Sequence, residues 1–278
     1  GLVLDRFFEP SRGGREQWTY HFAERLIARG HEVHVVSREF GPSVRRLPIV
    51  IHPIQCSKLA MDFADRVPSV VEPLGLDVVH DMGTGWYCDV LQPHGGSWAA
   101  MNDRKLRFLP AWFRPIRQQV DRLLPRYRHI QRLLKRQYAD RGQIVLALSR
   151  SAAANFTRFH HISPERMRIV YNGVDTERFS PERCEPLRET TRRQLGIDAD
   201  TVLAVLIAHN FRLKGLPTLL DAMARLKSRH RPVRLLVVGG KRLRPWRRMA
   251  ERLGVAERVT MIGQIGDPTP YYAAADFY

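Results

Sequence analysis

The sequence has few cysteines, an excess of basic over acidic residues and no long apolar run. It holds three cysteines in 278 residues, Cys56, Cys88 and Cys184, which are scattered and odd in number. A disulfide framework and a cysteine-based zinc site are therefore not expected, and a reducing cytoplasm fits best. No stretch approaches the roughly 18 unbroken apolar residues of a membrane span. Contents of 44% hydrophobic and 26% charged residues are those of a globular chain.

Basic residues dominate the charge. The chain has 45 Lys and Arg against 28 Asp and Glu, a net charge of +17 and a pI near 10.6. This excess predicts an anionic partner, which is a nucleic acid, a phosphate-rich ligand or a membrane surface. Residues 104–136 carry eleven Lys and Arg, one acid and many apolar residues. We predict that this segment contacts an anionic membrane surface. A helix that packs its apolar face inward and solvates its cations explains the same pattern.

Short runs rich in Val, Ile and Leu alternate with amphipathic segments. The runs predict strands covered on both faces at residues 1–5, 32–37, 77–81, 144–149, 168–171, 202–208, 233–238 and 259–262. Helical periodicity lies between them, most clearly at residues 17–29 and 216–229. The alternation predicts an α/β fold with parallel sheets. Turn residues at 171–181 indicate two domains, 1–171 and 172–278, the first with a basic helical insert at about 104–141.

Two loops between a predicted strand and a helix are suited to anions. Gly13 and Gly14 open the first helix, where glycines allow close approach and free amides attract negative charge. A tight turn in which Glu16 complements the helix dipole explains the same residues. Arg212 and Lys214 stand where parallel sheets bind ligands, and two cations there suit a diphosphate. The alternative for these two is a pair of solvated surface cations.

Three further features are candidates for ligand contact. Gly239 and Gly240 end one predicted strand, and Ile262 and Gly263 end another, so a flat ring or a ribose has access to the main chain there. Ordinary turns are the alternative. His94, in a glycine-rich loop, is suited to orienting a hydroxyl or phosphate or to exchanging a proton, unless it is a loop histidine with no task. No His or Cys spacing indicates a metal site.

These motifs, in this order, resemble those of the family 4 glycosyltransferases, retaining enzymes with the GT-B fold. The similar segments are GGRE at 13–16, LIARGHEV at 26–33, YNGVD at 171–175, KG at 214–215 and AAAD at 273–276. The resemblance implies two Rossmann-like doubly wound domains facing across a cleft, with a nucleotide-sugar held mainly by the second. The family's Glu-x7-Glu motif would follow Tyr278. We therefore expect the second domain to be incomplete and the chain by itself to have little or no activity.

The resemblance also assigns roles to residues. The implied sites are Gly13, Gly14, Arg212 and Lys214 for the donor phosphates, Gly239, Gly240, Ile262 and Gly263 for the nucleotide, His94 for catalysis, and Asn172 and Gly173 for a hinge. No metal or other cofactor is implied, because fixed cations and amides stabilise the departing diphosphate.

Within the family, the basic insert, the segment DMG at 81–83 and the short Arg–Lys loop look most like lipopolysaccharide-core sugar transferases. That likeness implies a lipid-linked or phosphate-bearing glycan acceptor and a role in lipopolysaccharide or cell-envelope glycan synthesis. It also implies a cytoplasmic protein, peripheral on the inner membrane face.

Two other function classes compete with this one. A basic nucleic-acid- or membrane-binding protein without transferase activity would explain the charge, but no known nucleic-acid module is present and we expect no nucleic-acid partner. A nicotinamide-dependent oxidoreductase would explain the alternation of strands and helices, but the GxGxxG fingerprint is missing.

Overall fold

The computed structural model describes residues 1–226 and 232–278. The chain forms two compact units, Gly1–Asn172 and Gly173–Tyr278. The boundary along the chain falls one residue after the boundary predicted from the sequence. The helix predicted at residues 216–229 is present over Leu216–Leu226, and its last three predicted residues lie outside the described part of the chain.

The first unit is a parallel α/β layer structure. Its strands are β1 (Leu2–Val3), β2 (Phe7–Phe8), β3 (His34–Ser37), β4 (Glu39–Phe40), β5 (Val50–Pro53), β6 (His80–Asp81), β7 (Val90–Leu91), β8 (Ile144–Ala147) and β9 (Met167–Ile169). Its helices are α1 (Gly14–Ala28), α2 (Ala60–Val71), α3 (Trp98–Arg107), α4 (Arg114–Leu123), α5 (Pro125–Gln137) and α6 (Arg150–His160). The main sheet has the order β5-β3-β1-β6-β7-β8-β9, all parallel, and β2 pairs with β4 separately.

Helices cover both faces of this sheet. Leu2 and Val35 pack towards α1, whereas the next residues along each strand, Val3 and Val36, pack towards α2. Alternate side chains of a strand point to opposite faces, so the continuous apolar runs of the sequence are what a doubly covered sheet requires.

Several strands differ from the prediction. The predicted strand at 1–5 is reduced to β1, and the backbone turns at Arg6, which has a φ of +87°. The strands β2, β4, β5 and β7 were not predicted. Three of them have two residues each, too few for periodicity to be detected, and β5 is an edge strand that ends in His52 and Pro53.

The second unit repeats the architecture. Its strands are β10 (Val202–Ile207), β11 (Val233–Val238) and β12 (Val259–Ile262), and its helices are α7 (Pro181–Gln194), α8 (Leu216–Leu226), α9 (Arg244–Arg252) and α10 (Thr269–Ala274). The strands are parallel in the order β10-β11-β12, and Phe277 forms a parallel bridge to Ala204. Ala204 and Leu235 face α8 and α9, while Leu203 and Leu236 face α10. The α/β class predicted from the sequence is confirmed.

The basic segment is helical but interrupted. The helices α3, α4 and α5 follow one another, with Pro115 and Pro125 in the first turns of α4 and α5. Proline lacks an amide hydrogen and is tolerated at a helix start, so each one fixes where a new helix begins. Across the described ranges, no helix is long and apolar enough to cross a bilayer. The three cysteines are free.

Candidate functional site

The carboxyl edge of the second sheet gathers the residues proposed for the nucleotide. The Gly239 amide donates to the carbonyl oxygens of Ile262, at 3.1 Å, and Gly263, at 3.0 Å. This places the ends of β11 and β12 side by side, so that glycines and main chain, rather than bulky side chains, form the edge. A flat ring has close access to such an edge.

The loop after β10 packs against the same glycines. A Cβ atom at Gly239 would overlap the carbonyl oxygen of Ala208, and a Cβ atom at Gly240 would overlap the ring of Phe211. The φ angles of the two glycines are +101° and +64°, which other residues adopt with strain. His209 and Gln264 meet across the edge with 3.4 Å between Nδ1 and Nε2. The structure therefore brings the loops after β10, β11 and β12 together.

Arg212 and Lys214 lie in this loop and are exposed. Neither forms an ion pair with any carboxylate of the described residues. The amides of Lys214, Gly215 and Leu216 all donate to carbonyls within the loop, and Pro217 in the next position has no amide hydrogen. The start of α8 therefore has few free amides, so an anion bound there would be held mainly by the side chains of Arg212 and Lys214.

Gly13 and Gly14 form the start of α1, as predicted. The first helical hydrogen bond runs from the Gln17 amide to the Gly13 carbonyl, and the preceding amides have no partner within the helix. Glu16 Oε2 would lie 2.9 Å from a Cβ atom at Gly13, so its carboxylate already sits beside this helix end. Arg15 pairs with Glu16 at 2.6 Å and neutralises it. Both interpretations of this loop, as anion site and as capped turn, are compatible with this geometry.

His94 is half-buried in the first unit, with its ring centroid 4.8 Å from that of Trp18. Burial, and then the positive charge of Arg15, lower its pKa to about 4. The imidazole is neutral at pH 7 and is a weak base there, which favours hydrogen bonding to a hydroxyl over proton abstraction. Its Nε2 is buried and has no hydrogen-bond partner.

Two polar residues beside His94 were not identified from the sequence. His80 and Gln92 are 8% and 1% exposed, and His80 Nε2 and Gln92 Oε1 both lack a partner. Burial lowers the pKa of His80 to about 4. His80 begins β6 and Gln92 follows β7, and their burial depends on tertiary packing, so no local pattern in the sequence distinguishes them.

Asp81 is a third missed residue, fully buried at the end of β6. Its carboxylate accepts the amides of Thr84 and Gly85, the latter at 2.8 Å. Burial raises the pKa of Asp81 to about 6, against the opposing effect of those amides. The side chain fixes the turn at 82–85, and the sequence D-x-G-T-G, an Asx-turn pattern, is the signal for it.

Asn172 and Gly173, the predicted hinge, are exposed in a stretch without helix or strand between β9 and α7. The division between the two compact units falls between them. Within the described ranges, no cluster of three or more His, Cys, Asp or Glu is arranged to hold a metal ion.

The basic segment presents an apolar stripe to solvent. Trp112, Ile116, Val120 and Leu123 are spaced by four, four and three residues along α4 and its preceding turn, and are 72%, 50%, 47% and 78% exposed. Residues at this spacing share one helix face. Asp121 lies on the opposite, buried face and pairs with Arg117 at 3.0 Å. For α4, the alternative interpretation, with the apolar face turned inward, is wrong.

Comparisons with known proteins identify the family. Residues 12–178 match the model of Glycosyltransferase Family 4, and residues 188–278 match that of Glycosyl transferases group 1. The chain is 26% identical over 284 residues to the lipopolysaccharide glucosyltransferase WaaG of Escherichia coli (strain K12). That alignment covers 95% of this chain and 69% of the relative. Two D-inositol 3-phosphate glycosyltransferases, of Corynebacterium glutamicum (strain R) and Segniliparus rotundus, are matched over 37% and 28% of their length.

Solved structures show the fold. The crystal structure of WaaG, described as a glycosyltransferase involved in lipopolysaccharide biosynthesis, superimposes with a TM-score of 0.80 at 23% identity, over 99% of this chain and 72% of that one. Anabaena Alr3699/HepE in complex with UDP superimposes with a TM-score of 0.68 at 19% identity, over 99% of this chain and 72% of that one. The GT-B fold expected from the sequence is confirmed, and the first family match covers more than half of the chain. This chain belongs to glycosyltransferase family 4.

Proposed function

We propose that this protein transfers a sugar from a nucleotide-sugar to a lipid-linked or phosphate-bearing glycan, with retention at the anomeric carbon. One observation carries the proposal. Arg212 and Lys214, which pair with no carboxylate of the described residues, share the carboxyl edge of β10–β12 with Gly239, Ile262 and Gly263. A nucleoside diphosphate needs both a surface for its ring and cations for its phosphates. A structural relative binds UDP, which supports this class of donor.

The chemistry follows from charge development. When the glycosidic bond to the diphosphate breaks, negative charge builds on the phosphate oxygens. Arg212 can form a bidentate contact and Lys214 a point contact with those oxygens, and both gain strength as the charge grows. Interactions that are stronger in the transition state than in the ground state accelerate the reaction. The proposed mechanism uses no metal.

In the first unit we assign the acceptor side. The Gly13 and Gly14 amides would meet the distal phosphate or the acceptor, with Arg15 balancing the charge of Glu16. Neutral His94, beside Trp18, would orient the attacking hydroxyl by a hydrogen bond. Asn172 and Gly173 would provide the hinge between the units.

The acceptor would be reached at a membrane. The exposed apolar stripe of α4 and the cations of residues 104–136 suit insertion into an anionic leaflet, with about 1 kcal/mol contributed per cation near the surface. The 26% identity to a lipopolysaccharide glucosyltransferase supports a glycan acceptor of the cell envelope. We accordingly propose a cytoplasmic protein, peripheral on the inner membrane face.

Equilibrium binding tests the donor site. UDP-, GDP- and ADP-sugars are titrated against the wild type and against Lys214→Ala and Arg212→Ala, with Lys58→Ala, at another exposed lysine, as the control. Loss of a charged hydrogen bond should weaken donor binding about ten- to hundredfold in the first two variants and leave the control unchanged. Sugar transfer should fall in parallel.

Two results would contradict the proposal. Unchanged donor affinity in Lys214→Ala would show that Lys214 does not bind the donor phosphates. Tight, strongly salt-dependent binding of an RNA oligomer without affinity for any nucleotide-sugar would support the nucleic-acid alternative instead. Family membership does not favour that alternative.

A further inference from the structure

Helix α9 of the second unit carries a row of unpaired arginines. Arg244, Arg248 and Arg252 follow at intervals of four residues and share one exposed face. None of the three forms an ion pair or a side-chain hydrogen bond with any described residue. We call this face the α9 arginine row.

The opposite face of α9 accounts for its packing. Ala250 is buried, and Trp246, Met249 and Leu253 pack partly buried against the core that β10, β11 and α8 share. The Trp246 ring contacts that of Phe211 with 6.2 Å between centroids. The apolar face of the helix therefore stabilises the fold by packing, whereas the charges of the arginine row do not contribute to that packing.

Several charges of α9 oppose the stability of the helix, although Arg252 in the last turn is favourably placed. Its first turn holds Arg244 and Arg247 and no acid, and its single acid, Glu251, lies in the last turn. Both placements are unfavourable with respect to the helix dipole. The pairs Arg244–Arg248 and Arg248–Arg252 place like charges at i,i+4, which repel. These repulsions are not offset by any ion pair that the row forms with described residues. An unfavourable charge pattern of this kind indicates that the arginines serve binding rather than the stability of the fold.

The row continues towards the proposed donor edge. Lys241 and Arg242, both exposed, connect Gly240 to the start of α9. Six cations thus extend from the carboxyl edge of the sheet along one helix, against one acid.

We propose that the α9 arginine row is a second membrane-contact surface, which binds the anionic headgroups of a bilayer. It shares its partner with the proposed function but uses a different surface, in the other unit. The row has no exposed aromatic side chain on which nucleic-acid bases would stack, since Trp246 packs inward. A flat, polyanionic surface complements a linear row of cations, and the contact would be electrostatic without apolar insertion.

The test measures binding to vesicles of phosphatidylcholine with and without phosphatidylglycerol, at low and physiological salt. The variant R244Q/R248Q/R252Q should bind anionic vesicles about 100-fold more weakly than the wild type, since each Arg near an anionic leaflet contributes about five-fold. The difference should shrink as salt is added. Neutral vesicles should show no difference.

A charge-matched control separates the row from the net charge. R183Q/R193Q/R225Q removes three exposed arginines of the same unit from α7 and α8. This control should bind anionic vesicles only a few-fold more weakly than the wild type. Thermal unfolding of both triple variants confirms that each is folded, and the row variant should be no less stable than the wild type.

Two outcomes overturn the proposal. Equal loss of vesicle binding in both triple variants would show an effect of net charge alone. Unchanged vesicle binding in the row variant, with weakened binding of a single-stranded RNA oligomer, would show that the row serves nucleic acid. Donor affinity, measured in the same variants, reports on the proposed transferase site separately, because no residue of the row belongs to it.

Discussion

Gly239 and Ala208 are packed so closely that a side chain on the glycine would overlap the carbonyl oxygen of the alanine. The Gly239 φ of +101° and its amide bonds to Ile262 and Gly263 fix it in that position. Three strand ends are held together at this one residue. The proposed nucleotide-binding edge is therefore determined by backbone contacts rather than by side chains.

Gly239→Ala should destabilise the second unit by about 2–3 kcal/mol, because it combines an unfavourable φ with a contact to backbone that cannot move aside cheaply. Gly263→Ala is the matched control, since a Cβ atom there meets nothing within 4 Å. Thermal unfolding should separate the two variants. A Gly239→Ala variant that unfolds at the wild-type temperature would refute the packing argument.

Arg192 organises the end of α7 and should be sensitive to substitution. It is 6% exposed and donates to the carbonyl oxygens of Asp198 at 2.7 Å, Thr201 at 2.6 Å and Ala274 at 3.0 Å. Arg192→Met removes those donors, leaves the buried Thr201 carbonyl without this partner and breaks the ion pair with Asp276. We expect a loss of about 3–5 kcal/mol in the free energy of unfolding.

The neighbouring Arg193→Met is the control for this substitution. Arg193 is exposed and, among the described residues, forms an ion pair only with Glu189, at i,i+4. Such surface pairs contribute about 0.3–0.5 kcal/mol, so denaturant unfolding should resolve the two variants clearly. Similar losses in both would mean that the buried carbonyls find other donors.

Stability should rise with pH in mildly acidic solution. Burial lowers the pKa of His80, His94 and His160 from 6.5 to about 4. Between those values the unfolded chain binds more protons than the folded one, so the free energy of unfolding increases as pH rises from about 4 to 6.5. Asp81, with its pKa raised from 3.8 to about 6, acts in the opposite direction over much of that range. Because three histidines act against one carboxylate, the net free energy of unfolding is expected to rise with pH in this range.

His160→Gln tests this pH dependence. His160 Nε2 lies 2.9 Å from Ser97 Oγ, and its ring stacks 3.8 Å from that of Tyr138, so protonation places a charge in a packed, partly buried contact. Urea unfolding at several pH values should give a shallower slope for the variant between pH 4 and 6.5. An identical slope would show that His160 does not contribute to it.

The exposed stripe of α4 should govern insertion into lipid. Trp112→Ser with Leu123→Ser removes its two most exposed members and should weaken binding to anionic vesicles by about a hundredfold or more, since burial of each large apolar side chain contributes about 1.5–3 kcal/mol. Val78→Ser with Val174→Ser changes two exposed valines elsewhere and should have no such effect. Melting temperatures should be unchanged in both. Equal vesicle binding by the wild type and both double variants would show that the stripe does not contribute to membrane binding.

The pattern of apolar runs was enough to predict the sheets but not their full extent. In the second unit, β11 and β12 have the predicted bounds. Their six and four consecutive residues are long enough for the apolar pattern to be recognised. In the first unit, two-residue strands such as β2 and β7 are defined by their partners in space, which no local pattern records.

The candidate site was predicted unevenly for a similar reason. Glycines and cations at strand ends are visible in the sequence, so Lys214 and Gly239 could be found. His80 and Gln92 could not be found, because what distinguishes them is burial without a hydrogen-bond partner, and burial depends on the tertiary packing of β6 and β7. The outward face of α4 was also undetermined, since an amphipathic pattern does not say which side faces the core.

The attachment of α5 has a mechanical consequence. Arg136 pairs with Asp65 of α2 at 2.6 Å, and Leu134 packs into the core with Phe156 of α6. Helix α4 precedes α5 and carries its stripe outside that core. A force applied at Trp112 would thus reach the core from both ends of α4, through α5 and through α3, which contacts α6.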